Sequence, residues 1–511
     1  MVEVRGEDGA SAILLRGGWV ITGGGPDDAV IRDGAVLVEG ERVGAVGPWA
    51  ELRTRHPAAS VIGGPDHAVL PGLINGHHHS SAISAVQHGL SDALLEPWCL
   101  DHLRIRLTDD RLDCLLAATR LLQTGVTAAV DVWQGPPQSP AAYERAARAR
   151  LAGYEQAGLR AFFALGHKTQ SRIVHGGPDA DDDFIAGLPA NVRPHAQALL
   201  PAGPIMDDGD WLDVVDQLAR DTAGHPRLAI WYGPQGPQWI HPGVMERIAE
   251  AGVAHDSKIQ THVNESWYEA QWARRQHGGR ETVAWLGDIG VLGPRFSLAH
   301  ATFCSPAEIE ILAATGTAVS HNPGSNLRLR NGAMPLNAMR AAGVTVAIGM
   351  DGTTMDDDED MWAEMRLAAR LARTTRLSGP APAPRELLHM ATAGGARLAR
   401  MEDRLGRLAP GMLADVITLD TRRVRSPWAA AEADMADLLV MKAAAGDVDT
   451  VLVGGAVVLR GGLPTRFDLK AALAEAHEVM AAQARPEQAE AHVAAVMPYL
   501  EKFYLGWEEE R

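Results

Sequence analysis

Residues 70–83 read LPGLINGHHHSSAI, a short apolar run opened by a Leu-Pro-Gly step and closed by three consecutive histidines. An uncharged run of this length bounded by turn residues has the pattern of a buried strand. Side chains alternate in direction along a strand, so His77 and His79 face one way and His78 the other. Downstream, similar runs alternate with Ala/Leu/Arg-rich helical stretches: GVTAAVDVW (125–133), LRAFFALGHK (159–168), LAIWYGPQG (228–236), KIQTHVNES (258–266), FSLAHATF (296–303), GTAVSHNPGSN (316–326) and VTVAIGMDG (344–352). With the run at 70–75 these make eight strands. Eight strands alternating with helices over about 330 residues predict an α/β fold of the (β/α)8 TIM-barrel kind, and no GxGxxG turn follows an early strand as a doubly wound sheet would want.

Outside that core the pattern changes. AILLRGGWVITGGG and GAVLVEGERVGAVG near the start, and ADVITLD and DVDTVLVGGAVVLRGG after the barrel, read as short strands separated by glycine turns. The two chain ends are therefore expected to build one flanking β-sandwich. A helical tail follows, interrupted by Pro486 and Pro498. The expected division is 1–70 and 404–465 for the sandwich, 71–403 for the catalytic barrel and 466–511 for the tail.

Composition narrows the partners. The chain has 511 residues, 46% of them hydrophobic, enough for a large core. Its formal net charge is −17, and no basic stripe interleaves with aromatics, so neither nucleic acid nor an acidic membrane is an expected partner. The first residues lack a basic segment followed by an unbroken apolar one, and no apolar run is long enough to span a bilayer; a cytoplasmic location is the expectation. Cys99, Cys114 and Cys304 are scattered, which points to neither a disulfide framework nor a cysteine zinc site. The acidic clusters DADDD (179–183) and DDDED (356–360) read as solvated loops.

Barrel chemistry sits where strands end, on the C-terminal rim. Strand 1 ends at His77–His79, strand 5 at His262 with Glu265 three residues on, strand 6 at His300 and strand 8 at Asp351. Any one histidine at a strand end is ordinarily a hydrogen-bonded core or surface residue, Asp351 alone could cap a turn, and Glu265 alone could be a first-turn helix acid. Together they offer the nitrogen and oxygen ligands that zinc, iron or cobalt prefers, on strands that a barrel brings together.

The segments LPGLINGHHH, THVNES, LAHATF, SHNPGSNLRLRNGAMPLNAMRAAGVTVAIGMDG and GRLAPGMLADVITLD with VLVGGAVVL resemble the amidohydrolase superfamily, in its branch of triazine hydrolases, cytosine and guanine deaminases and S-adenosylhomocysteine deaminases. The resemblance runs from about residue 12 to about 465. It implies a metal-bearing (β/α)8 barrel with a flanking β-sandwich, His77, His79, His262 and Asp351 as metal ligands, and Glu265, His300 and Asp351 as the catalytic, proton-handling and substrate-polarising groups. Binuclear relatives bear a carboxylated lysine at the end of strand 4. Here that strand ends YGPQGPQ, and Lys168 belongs to strand 3, so one divalent transition metal is expected, zinc before Fe2+ or Co2+.

The same branch often has a histidine after strand 4, where this chain has Gln235. Trp98, in SDALLEPWCL, is expected to line the pocket, with Gln235, His321 and Asn326 as further substrate contacts; Trp133, Trp239 and Trp267 also stand just past strand ends, where a planar heterocycle could stack. A divalent cation there lowers the pKa of water from about 15.7 toward ~7, and Glu265 handles the proton. The expected activity is displacement of ammonia or an amine from a planar N-heterocycle. Hydrolysis of an aryl halide, urea, carbamate or amide on the same site is the alternative, and an inactive assembly protein of this fold the third reading. The amphipathic tail predicts packing on the barrel or on a second subunit, with a homo-oligomer as the expectation.

Overall fold

The computed structural model describes residues 12–135, 139–201, 206–241, 243–352 and 358–509. Two eight-stranded sheets organise them. One is parallel and runs in chain order: Leu73–His78, Val126–Trp133, Arg160–His167, Leu228–Pro234, Ile259–Val263, Phe296–His300, Ala318–His321 and Val346–Ile348. The last strand returns to the first, where the His77 carbonyl accepts the backbone N–H groups of Met350 and Asp351 at 3.2 and 3.1 Å. The result is a nearly closed barrel with helices between its strands, and all eight strands lie where the apolar runs placed them.

Alternation along the strands builds two apolar layers. Ile74, Val130, Phe162, Ala164, Trp231 and Ala347 join in one cluster. Their sequence neighbours, such as Ala129, Phe163, Leu165, Tyr232 and Ile348, join the larger cluster shared with the helices. Extrapolating from Ile74 would put His78 inside the barrel and His77 outside. The pairing of the first two strands is irregular between Asn75 and His78, and this slip turns His77 inward.

The flanking unit is one mixed sheet in which the strands of residues 13–71 meet those of residues 416–464. Its central strand, Ser60–Pro71, pairs in parallel with Ile13–Ile21 and antiparallel with Val416–Asp420. Pro71 and Gly72 then hand the chain directly into the first barrel strand. Gly72 is obligatory there, because a Cβ would stand 2.1 Å from Thr127 Oγ1. A buried ion pair ties the two sheets together: Arg160, opening the third barrel strand, donates to both oxygens of Asp415 at 3.0 and 2.9 Å.

Two expectations are corrected. The tail forms helices Leu469–Ala481 and Glu487–Glu509, and the second runs straight through Pro498. Packing of Val493, Val496, Leu500 and Tyr504 against the barrel loops outweighs the intrinsic cost of an interior proline. The acidic clusters are not simply solvated. Asp181 accepts the backbone N–H groups of Arg172, Ile173 and Val174. Of the DDDED cluster, Asp356 and Asp357 lie outside the described residues, while buried Glu359 meets His78 Nε2 at 3.1 Å and Asp360 caps the following helix. Among the described residues no helix is long and apolar enough to cross a membrane.

Candidate active site

The strand ends deliver four side chains to one point. His77, His79, His262 and Asp351 bring their ligand atoms within 4.8 Å of one another at the C-terminal mouth of the barrel. His79 Nε2 stands 3.0 Å from His262 Nε2, and Asp351 Oδ1 stands 3.0 Å from His77 Nε2 and 3.2 Å from His79 Nε2. The backbone is strained at this rim: Asn264, His300, Ala301 and Asp351 all adopt left-handed φ values between 49° and 74°. A non-glycine residue holds that conformation only where its surroundings impose it, and functional sites are where such strain collects.

Each histidine is oriented from behind. His79 Nδ1 donates to the Val132 carbonyl and His262 Nδ1 to the Gln235 carbonyl, both at 2.5 Å. His77 Nδ1 donates to Gln260 Oε1 at 2.9 Å, and Gln260 spends its own N–H groups on the Gly76 carbonyl and Ser297 Oγ. Carbonyls only accept, so in the neutral rings the protons sit on Nδ1 and three Nε2 lone pairs point at one another and at a carboxylate. Among the described residues His77 Nε2 and Asp351 Oδ1 find no hydrogen-bond partner although both are buried. Lone pairs facing at 3.0 Å repel unless a positive charge lies between them. Ligands about 2.0–2.1 Å from a common zinc stand roughly 3 Å from each other, so the donor set fits a divalent cation.

Protons and a cation compete for this cradle. Burial works to lower the pKa of His79, but the carboxylate of Asp351, 3.2 Å from its Nε2, outweighs it and raises the value. Burial, with its imidazole neighbours, drives His262 well below its ordinary value, and His77 is lowered too. Asp351 stays well below the usual carboxylate range because the surrounding histidines outweigh its burial.

Beside the cradle lie the expected proton-handling groups. Glu265 Oε2 is 3.5 Å from His300 Nε2, which in turn is 3.9 Å from Asp351 Oδ2. His300 Nδ1 lies 2.9 Å from Asn326 Oδ1 and 3.3 Å from the Asn322 amide nitrogen, its Nε2 is turned toward Glu265 and Asp351, and burial lowers its pKa to about 4. Burial first, then the carboxylates of Asp351, Glu269 and Glu96, push Glu265 well above the ordinary carboxyl range. Its Oε1 accepts the Asn331 amide at 3.2 Å. Ser325 Oγ donates to Asp351 Oδ2 at 2.5 Å.

A cavity of about 440 Å³ opens onto Glu265 and Asp351, while His300 lies behind them and is not on its wall. Trp98, Gln235 and Trp239 are on its wall, with His79, His262, Glu265 and Asp351 at its base. His321 and Asn326 are not on that wall. His321 follows Ser320 on the seventh strand and shares the helix-facing side of Val319, while Asn326 spends its carbonyl on His300. Trp133 packs on Tyr143 and Phe163, and Trp267 on Tyr268, so neither stands over the main cavity.

The sequence reading missed His102, Lys168 and Arg172, all on the cavity wall. Lys168 Nζ lies 4.7 Å from the Trp239 ring centroid, and burial lowers its pKa to about 8. These residues sit on loops, where no periodicity marks direction. Gln260, at the second position of its strand and two residues before His262, was the one legible in principle, because that spacing shares a side.

Comparison with known proteins agrees with this geometry. Residues 68–458 match the amidohydrolase family, and residues 34–59 match a bacterial imidazolonepropionase-like composite domain. The 5'-deoxyadenosine deaminase of Methanothermobacter thermautotrophicus is 30% identical over 459 residues, covering 88% of this chain and 94% of the relative. A 5-methylthioadenosine/S-adenosylhomocysteine deaminase of Desulforudis audaxviator is 31% identical over 474 residues, covering 91% and 97%. In fold, the chain superposes on an adenosine deaminase from Xanthomonas campestris with bound zinc (TM-score 0.78, 24% identity, 92% of this chain and 98% of that one). It also superposes on a zinc complex of atrazine chlorohydrolase from Arthrobacter aurescens (TM-score 0.75, 24% identity, 92% and 100%). With a family match across most of its length and full-length relatives at 30% identity and above, the chain belongs to the amidohydrolase family.

Proposed function

We propose that this protein is a metal-dependent aminohydrolase that replaces the exocyclic amino group of an adenine-type nucleoside by oxygen. The observation that supports it most is the convergence of three histidine Nε2 atoms and the Asp351 carboxylate beside Glu265 and His300, next to a cavity large enough for a nucleoside. The names of the full-length relatives, deaminases of 5'-substituted adenosines, support the substrate class.

His77, His79, His262 and Asp351 would hold one divalent cation, zinc by the character of three imidazoles and one carboxylate. When bound, that cation supplies Lewis acidity and makes hydroxide available near neutral pH. The chain's own residues do the rest. Glu265, buried and with its carboxyl pushed above the ordinary range, takes one proton of the attacking water and gives it to the ring nitrogen, then carries the remaining hydroxyl proton to the amino group, which leaves as ammonia. Asn331 fixes the rotamer of Glu265 by its bond to Oε1. His300, with its proton held on Nδ1 by Asn326, presents Nε2 to the reacting centre, and Asp351 Oδ2 shares in the proton transfer. Trp98 and Trp239 offer flat walls for the heterocycle.

Displacement of chloride or of another amine on the same site is the second reading, favoured by one feature: Gln235 stands on the cavity wall where many deaminases of the branch present a histidine. Ammonia release from 5'-deoxyadenosine, methylthioadenosine, adenosine and adenine, measured against chloride release from a chlorotriazine, separates the two. Deamination of the first pair at the highest kcat/KM is the expected outcome; chloride release alone would overturn the proposal. The unpaired state of Cys99, Cys114 and Cys304 suits a cytoplasmic setting. The exposed Leu473 and Leu505 on the terminal helices are the faces through which the proposed homo-oligomer would form, checked by light scattering on the full chain.

A further inference from the structure

Among the described residues every strand of both sheets lies before residue 465, so the terminal helix Glu487–Glu509 adds nothing to either sheet. It lies instead across three active-site loops. One apolar cluster joins its Val493, Val496, Leu500 and Tyr504 to Leu100 in the loop after strand 1, to Ile173 and Val174 after strand 3, and to Tyr268 after strand 5. Those three loops supply Trp98, Lys168 and Glu265 to the cavity.

A polar chain runs from that cluster to the reacting groups. The Tyr504 hydroxyl oxygen accepts the His175 backbone N–H at 2.9 Å. The His175 ring stands between the Tyr504 ring, 5.7 Å away, and the cavity's Trp239, 5.8 Å away. Its Nε2 is 3.4 Å from Glu96 Oε1, and the same Glu96 oxygen accepts the Ser266 hydroxyl. Ser266 caps the helix Trp267–Gln276 in a reciprocal box with Glu269, and Glu269 Oε2 accepts the backbone N–H of Glu265 at 2.7 Å. Tyr504, His175, Glu96, Ser266 and Glu269 are all buried.

We propose that the terminal helix is a strap that sets the position of Glu265, with Tyr504 as the positioning residue acting through His175, Glu96 and Ser266. The inference rests on the reading of Glu265 as the proton carrier. A buried polar chain, hydrogen-bonded except at the 3.4 Å contact of His175 with Glu96, transmits a displacement because none of its members can turn to water for a replacement partner. A catalytic group misplaced by about 1 Å can lose on the order of 10²-fold in rate, so a remote tyrosine matters if it sets that position.

The test uses the full chain. Tyr504→Phe keeps the ring in its apolar cluster and removes only the acceptor for the His175 N–H. It is expected to lower kcat/KM for 5'-deoxyadenosine about three- to tenfold, mainly in kcat, with metal content unchanged. It is also expected to speed amide hydrogen exchange at least about threefold in the segment 264–270. Glu501→Gln, at an exposed position of the same helix, should change neither. In the double variant Tyr504→Phe/Glu96→Gln the loss should not exceed that of Glu96→Gln alone, since both act on one chain. Exchange at 264–270 that is unchanged in Tyr504→Phe, or accelerated evenly over the whole protein, overturns the strap. Local acceleration in a protein without deaminase activity supports the strap and refutes the functional reading instead.

Discussion

His79 Nε2 and His262 Nε2 face each other at 3.0 Å while the Nδ1 atom of each donates to a backbone carbonyl. Two bare nitrogens at that distance are the mark of a cation cradle. Purified protein is expected to contain close to one equivalent of a transition metal, zinc foremost. His262→Ala should lose it on dialysis, as should His77→Ala. Elemental analysis that finds no metal in the unaltered protein, or two equivalents both needed for activity, refutes this.

The pH dependence of that cradle has a definite sign. Asp351 raises His79 above 6.5 despite burial. In metal-free protein the pair therefore contributes stability that is fully present below about 6.5 and lost as pH rises through the raised value. A cation needs the opposite state, with Nε2 deprotonated, so loading releases a proton and tightens as pH rises. The Tm advantage of loaded over metal-free protein is expected to grow between about pH 6 and pH 8. Parallel Tm curves would mean that proton and metal do not compete for this atom.

Gln260 is expected to matter almost as much as a ligand. Its Oε1, 2.9 Å away, holds the proton of His77 on Nδ1. Gln260→Leu fills similar space but frees the ring, and metal affinity should fall about 10- to 100-fold in a chelator competition. An unchanged affinity with a normal melting curve would show that His77 is oriented by packing alone.

The barrel and the metal cradle were legible because both depend on local pattern. Eight apolar runs located eight strands, and the rim positions His77, His79, His262, Glu265, His300 and Asp351 followed from where each run stopped. The rest depends on tertiary geometry. Simple alternation from Ile74 points His77 out of the barrel, and only the slip between Asn75 and His78 turns it in. His321 ends its strand with the same signal as His300, yet the left-handed backbone of His300 swings its ring to the site while His321 keeps the helix-facing side. Lys168 and the Tyr504 strap belong to loops and a tail whose docking no periodicity encodes. Pro498 argued against a helix that burial of Val496 and Leu500 sustains.

The join between the sheets is expected to carry a large share of stability. Arg160 and Asp415 are both buried, and Asp415 Oδ1 also accepts the Gly454 N–H at 2.8 Å. Asp415→Ala leaves a buried guanidinium without its partner, which costs about 3–5 kcal/mol. Denaturant unfolding with metal content monitored checks this. A loss under about 1 kcal/mol would mean that water reaches Arg160 once the carboxylate is gone.

Glu265 separates catalysis from mere metal binding. It is not among the four converging ligands, yet its Oε2 lies 3.5 Å from His300 and its carboxyl is pushed well above the usual range, first by burial and then by Asp351. A cation in the adjacent cradle opposes that push and favours the carboxylate form that takes the proton, while burial favours the acid form that gives it back. Glu265→Gln keeps the size and can still accept the Asn331 bond, but it cannot take a proton. Turnover is therefore expected to fall by about 10² or more with the metal retained and KM little changed. Near-normal turnover in a metal-replete Glu265→Gln protein would leave the residue as nothing more than an acid before a helix, and the proton would have to travel through His300 and Asp351 alone.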